Sequence, residues 1–325
     1  MMTDLAGVYY RQGDLARAEK MWRRAIQEFR QIGNPEGVAT ALSNIGSADL
    51  MKGNLSEAKK LLEESIPRYQ AVEDKSGVAL SLNNLGDLSR QQGNLQAAET
   101  TYQQAKATAQ EIDDKGAIAY VLNGLGDVFT DRGDLAAARK SYEESLTLRD
   151  HAGEKQGAAE TQISLARLAI EEGHPADAEA EMRKFKEQFR REQAIDDELA
   201  ASVTLIHALL AENKPGDAEK EIEAARALAQ QSQNGLVRLQ FYLAVARVLL
   251  SSKRPELSRP QSEKVLRDAR EHGFVGVQFE ARLALAEWEK KTGHDAAARI
   301  ELAALESSAR SKGFGLMARK AAAAR

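Results

Sequence analysis

The chain has 325 residues, no cysteine, six prolines, 5% aromatic and 29% charged residues, and a formal net charge of −4. Without cysteine there are no disulfides or thiolate metal sites, and interspersed charges leave no continuous basic stripe for a nucleic-acid backbone. No apolar run approaches the ~18 residues that span a bilayer, and Met1-Met2-Thr3-Asp4 lacks the basic-then-apolar order of a signal peptide, so no membrane partner is expected and the expected location is cytoplasmic.

From Gly13 onward a corner returns every 40 residues: Gly13-Asp14-Leu15, Gly53-Asn54-Leu55, Gly93-Asn94-Leu95, Gly133-Asp134-Leu135, Gly173-His174-Pro175, Asn213-Lys214-Pro215, Lys253-Arg254-Pro255 and Gly293-His294-Asp295. A sustained period overrides domain counting by length and makes residues 1–325 one array. In each corner glycine ends one helix in the left-handed region, and Asp14, Asn54, Asn94 and Asp134 are expected to cap the next, with Glu57 completing a capping box on Asn54. Asn34, Asp74, Asp114 and Glu154 are the expected caps between repeats, Pro35 sitting at a first helical position.

In chain order, Met1 falls in the register of Ala41, so the first helix is short by most of two turns and the chain is expected to be part of a longer protein. Leu5, Tyr9 and Trp22 are expected to be exposed at this end and to allow weak end-to-end self-association. Pro67 is expected to kink its helix. In the third repeat Leu82, Leu85, Gly86 and Ser89 share one helical face, and the return of glycine at Gly46, Gly86 and Gly126 predicts a close helix approach. The second helix buries Ala98, Tyr102 and Ala105. Later repeats carry Ala166, Ile206, Ala246 and Ala286 instead of glycine, and Ile206 is expected to widen the helix contact and change the superhelical pitch. Two prolines, Pro255 and Pro260, move the expected start of the seventh repeat's second helix to near Pro260. Gly313-Phe314 repeats Gly273-Phe274, and Leu316 to Arg325 should form a lone capping helix. Residues 1–153 are thus regular repeats, 154–312 degenerate repeats and 313–325 the cap.

Leu82, Leu85-Gly86, Gly93, Ala98, Tyr102 and Ala105 resemble the tetratricopeptide repeat, commonly 34 residues long; the 40-residue spacing is similar to the subclass of kinesin light chains and cell-polarity adaptors. The resemblance implies an all-α fold, a right-handed α–α superhelix of eight helix-turn-helix repeats plus the capping helix, whose first helices line a concave groove.

The five histidines are scattered without metal-ligand spacing, Arg132-Gly133-Asp134 and Asn54-Leu55-Ser56 are explained as corners, and Gly124-Leu125-Gly126 follows no strand. No nucleophile, base and orienting group assemble, so neither enzymatic activity nor a cofactor is expected. One strip of the first helices, Thr3, Ser43, Asn83, Asn123, Ile163, Val203, Leu243 and Leu283, turns from polar to apolar. The strip one turn on, Gly7, Ser47, Asp87, Asp127, Arg167, His207, Arg247 and Glu287, turns from acidic to basic. Two readings stay open: ordinary core with a solvated charged face, or a groove binding a peptide or partner protein. In the second, Asn83 and Asn123 hold the ligand backbone, Asp87 and Asp127 attract a basic segment, Arg90 and Tyr120 flank them, and Ser43, Ser47 and Arg167 complete the set. The expected role is a non-catalytic interaction scaffold; the alternative is the sensor region of a bacterial signalling protein whose kinase or regulator domain lies N-terminal.

Overall fold

A computed structural model describes residues 2–252 and 254–325, with Met2 and Gln156 described by backbone alone; Met1 and Lys253, which open the register and the seventh corner, lie outside the described residues. Helices form eight antiparallel pairs: α1 (Met2–Arg11) with α2 (Leu15–Gln31), α3 (Pro35–Lys52) with α4 (Leu55–Ala71), α5 (Lys75–Gln91) with α6 (Leu95–Gln110), α7 (Lys115–Arg132) with α8 (Leu135–Ala152), α9 (Lys155–Glu171) with α10 (Pro175–Glu192), α11 (Ile195–Ala211) with α12 (Pro215–Gln231), α13 (Gly235–Ser251) with α14 (Ser258–His272), and α15 (Val275–Lys291) with α16 (Asp295–Ser311). The lone α17 (Gly315–Ala324) closes the array, and no strand occurs among the described residues.

The corners work largely as their sequence implies. Gly13, Gly53, Gly93, Gly133, Gly173 and Gly293 take φ values of 78° to 88°, and Asn213 substitutes for glycine at φ 59°, a residue type that tolerates this region. Asp14, Asp134, Asn34, Asp74 and Asp114 accept from a free amide three residues on. Asn54, Asn94 and Glu154 occupy cap positions without a side-chain cap bond. Asn54 instead turns its amide to Asp49 Oδ1 at 3.0 Å, so the expected capping box does not form. In the seventh repeat a 3-10 turn, Pro255–Leu257, precedes α14, which starts at Ser258, near Pro260 as expected; Pro260 fits the first helical turn because its missing N–H would have no intrahelical partner there. Pro67 lies within α4, which continues to Ala71. Trp22 is buried, its ring 5.7 Å from Tyr10, and does not belong to an exposed end.

The helical glycines are explained by the side chain facing them. A Cβ on Gly86 would lie 2.5 Å from Tyr102 Cε1, so the ring occupies the volume that a side chain would need. Where the ring position holds Met182, Ile222 or Leu302, the facing residue grows to Ala166, Ile206 or Ala286, and all six are buried. Ile206 faces a smaller partner, and its pair, α11–α12, still approaches less closely than the glycine-bearing pairs α3–α4, α5–α6 and α7–α8, in keeping with the expected wider contact.

The superhelix is wound tightly enough for its turns to touch. Gly13 meets Asp196, Gly235 meets the Lys52 carbonyl, Gly93 meets Val275 and Gly315 meets the Arg132 carbonyl, always at nearly the same chain separation. The stacking nevertheless changes beside Ile206, where α12 lies less closely against α13 than α2, α4, α6 and α8 lie against the helices that follow them. Leu55 shares a core with Leu239, Phe274 and Val277; Leu95 shares one with Phe279, Phe314 and Met317. Polar ties add to this: the Ala16 amide donates to Gln233 Oε1 at 2.9 Å and Arg319 donates to the Gly133 carbonyl at 2.9 Å. The cap α17 thus packs on α7 of the preceding turn as well as on its own neighbours.

Candidate functional site

The inner face is built from the first helix of each pair, because the second helices pack on the opposite side of the same helices. Its central rungs are Ser47, Asp87, Asp127, Arg167, His207, Arg247 and Glu287, all partly exposed. The change of charge follows from packing. Tyr102 donates its hydroxyl to Asp87 Oδ1 at 2.5 Å and Tyr142 donates to Asp127 Oδ1 at 2.6 Å. A buried phenol requires an acceptor. Repeats with Leu62, Met182, Ile222, Ser262 or Leu302 at the ring position have no phenol, and their rungs are Ser47, Arg167, His207, Arg247 and Glu287.

In the acidic half Arg90 bridges Asp127 at 2.9 Å and Asp131 at 3.2 Å, and Arg167 reaches Asp127 at 3.8 Å. Burial pushes both the Asp87 and Asp131 carboxyls up to about 6, against the pull of Tyr102 and Arg90 on Asp87 and of Arg90 on Asp131. Burial acts on Asp127 too, but Arg90, then Arg167 and the Tyr142 hydroxyl hold it below the usual carboxylate range. In the basic half Arg247 lies 3.4 Å from Glu280 and Lys320 lies 2.5 Å from Glu171. Burial, reinforced by Arg247, pulls the His207 imidazole down to about 4, so it is neutral near pH 7.

Most of the candidate residues gather on this face, with one exception. Ser43 is buried and its hydroxyl belongs to a Ser43–Ser81–Ser65 chain with 3.0 and 2.9 Å spacings, so it is core. Ser47 pairs with the Tyr10 hydroxyl at 2.8 Å. Asn83, 7% exposed, donates to Asp87 Oδ2 at 3.3 Å. The Oδ1 atoms of Asn83 and Asn123 are buried without a hydrogen-bond partner, as are Arg90 Nε, His207 Nε2 and Arg247 Nε. Tyr120 supports the Arg149 guanidinium 4.2 Å from its ring centre. Arg149, 1% exposed, lies 3.5 Å from Glu160. Ile163, Val203, Leu243 and Leu283, the apolar half of the first strip, are buried and form inter-helix core.

Asp131, Glu160, Glu280 and Lys320 were not singled out by sequence reasoning. Three of them stand in the register of Tyr120: Leu80, Tyr120, Glu160, Ala200, Gln240, Glu280 and Lys320. Extending that register along the period would have found a third inner strip. Among the described residues no His, Asp or Glu cluster suits a metal ion, and no helix is long and apolar enough to cross a membrane.

The family model described as "MalT-like TPR region" matches residues 36–315, and a tetratricopeptide repeat model matches residues 1–32. No curated protein matches. Among solved structures, the Rap conjugation gene regulator of plasmid pLS20 in complex with the Phr* peptide is similar at 12% identity and a TM-score of 0.70, over 87% of this chain and 77% of that one. A Rap protein complexed with Competence and Sporulation Factor is similar at 13% identity and 0.66, over 100% and 98%. A signal-transduction ATPase with a tetratricopeptide repeat sensor from Pyrococcus horikoshii is similar at 15% identity and 0.56, over 95% of this chain and 46% of that one. At these identities the likeness is one of fold.

Proposed function

The chain belongs to the MalT-like tetratricopeptide family, and on that premise we propose that it is a non-catalytic scaffold binding a peptide or a peptide-like segment of a partner protein along its inner face. The observation that carries this reading is a set of five unpartnered polar atoms on that face: Asn83 Oδ1, Arg90 Nε, Asn123 Oδ1, His207 Nε2 and Arg247 Nε. A buried polar atom without a partner costs about 1–3 kcal/mol, and a face that keeps five of them is suited to be completed by a ligand's amides and carbonyls. Asn83 and Asn123 engage the ligand backbone after modest side-chain rotation. Asp87 and Asp127 draw a basic segment, and Ser47, Arg90, Tyr120 and Arg167 line its path.

The test is retention of a synthetic pool of random hexapeptides on the immobilised chain, read by mass spectrometry. Asn83→Ala with Asn123→Ala is expected to lower retention about thirtyfold, the loss of two hydrogen bonds of ~1 kcal/mol each, with helicity unchanged. Undiminished retention would refute the assignment. Replacing Asp87 and Asp127 by asparagine is preferable to reversing their charge, because asparagine can still accept from Tyr102 and Tyr142.

A second reading is the sensor region of a larger signalling protein, supported by the likeness to the Pyrococcus horikoshii sensor ATPase. It requires that the native reading frame encode an effector domain N-terminal to this array; a frame without one would remove it. We propose a cytoplasmic location under either reading.

A further inference from the structure

Resting on the peptide-binding reading, we propose that Glu280 is an internal stand-in for a ligand carboxylate, and that Arg247, Lys320, His207 and Arg167 around it form the anion-binding part of the inner face. These groups come from five different helices, α15 for Glu280 and α13, α17, α11 and α9 for the others. Burial would raise the Glu280 carboxyl, but Arg247, then Lys320, with His207 and Arg167, lower it below the ordinary range, and Arg247 lies 3.4 Å from it.

The hold on that carboxylate is loose. Arg247 approaches it only to 3.4 Å and makes no two-pronged contact, whereas a well-seated arginine–carboxylate pair closes to about 2.8 Å. Glu280 keeps 36% of its side chain exposed. Arg247 Nε and His207 Nε2 remain without partners. Arg167 is 43% exposed and its nearest acid is Asp127 at 3.8 Å. Three permanent cations therefore share Glu280, the Glu171 bonded to Lys320, and the distant edge of Asp127. A ligand carboxylate entering here displaces Glu280 toward solvent, takes both prongs of Arg247 and accepts from the His207 N–H. The acidic zone adjoins this site, because Arg167 also reaches Asp127 at 3.8 Å and α17, which carries Lys320, packs on α7, which carries Asp127 and Asp131, so a bound peptide sets its carboxylate among Arg247, Lys320 and Arg167 with the acidic pair beside it.

The experiment uses the full chain and four pools of random hexapeptides, with free or amidated C-termini and with or without Asp and Glu. Wild type should retain carboxylate-bearing pools about tenfold over the amidated pool lacking acids. Retention of the free-acid pool without Asp or Glu identifies the terminal carboxylate as the ligand group; retention of the amidated acidic pool identifies a side chain. Glu280→Gln should raise retention of carboxylate pools severalfold and leave the carboxylate-free pool unchanged, which a purely structural role would not do. Arg247→Gln, with helicity confirmed by circular dichroism, should abolish the preference. Equal retention of all four pools overturns the anion site while leaving peptide binding intact. Carboxylate retention that is unchanged or lowered by Glu280→Gln overturns the stand-in. Retention of no pool takes down both readings.

Discussion

The halves α1–α8 and α9–α17 are built from the same helix-turn-helix pairs but solve their packing and edges differently. In the third and fourth repeats a tyrosine fills the notch over a glycine and its hydroxyl fixes an aspartate on the inner face. In the fifth, sixth and eighth repeats the notch is shared by two apolar side chains, no phenol needs an acceptor, and the rung becomes Arg167, His207 or Glu287; in the seventh the ring position holds Ser262, whose buried hydroxyl has no partner, and the rung is Arg247. The edges are complementary. First-half corners present Leu15, Leu55, Leu95 and Leu135, where the second half has Pro175, Pro215, Pro255 and Asp295. Conversely, the polar caps Asn34, Asp74 and Asp114 give way to Ala194, Phe274 and Phe314, which are buried, while Asn234 between them keeps a side-chain cap bond. The difference teaches that degenerate positions in the later repeats are the receiving surface for the earlier corners.

The largest effect is expected from Tyr102→Ala, which empties the Gly86 notch and orphans Asp87; about 4 kcal/mol should be lost in urea unfolding, and a loss near that of a surface substitution would break the comparison. Next, Leu95→Ala should cost about 3 kcal/mol, whereas Pro215→Ala at the equivalent second-half corner should stay within about 0.5 kcal/mol; equal costs would deny the docking of corners. Gly86→Ala should cost about 2 kcal/mol by overpacking, and adding Tyr102→Met should recover most of it by copying the Ala166 and Met182 arrangement.

The remaining test reads the pH profile. The Asp87 carboxyl at about 6 lies above its unfolded value of 3.8, so the folded chain binds that proton more tightly and loses stability as pH rises from about 4 to about 6. Asp87→Asn should gain on wild type over that interval and converge with it below. His207 at about 4 lies below its unfolded 6.5, so stability falls as pH drops through that range, and His207→Gln should gain on wild type toward acid. Urea midpoints between pH 4 and 7 that run parallel in all three proteins would contradict these assignments.

The helix pairs, corner glycines and cap were legible because each depends on neighbours within one repeat, where a 40-residue period places the signal in register. Ser43 was misplaced because Ser65 and Ser81, which engage it, come from other helices. Turn-to-turn docking escaped notice because it sums small rotations over several repeats, although Gly235 and Gly315, standing where Pro35, Lys75 and Lys115 do, carried a trace of it. Asp87 and Asp127 were located from the period, but their bond to the tyrosines was not, since it joins two helices whose spacing only the packing sets.

The docked turns, on which the inner face depends, are tested most directly by a distance between them. Leu95 lies against Gly313, and Gln96 and Lys312 beside them are exposed. Because the chain has no cysteine, Gln96→Cys and Lys312→Cys direct spin labels to these two sites alone. Double electron–electron resonance should give one short, narrow distance distribution, as for labels on touching surfaces. A long or broad distribution would mean that the turns stand apart, and would contradict the account.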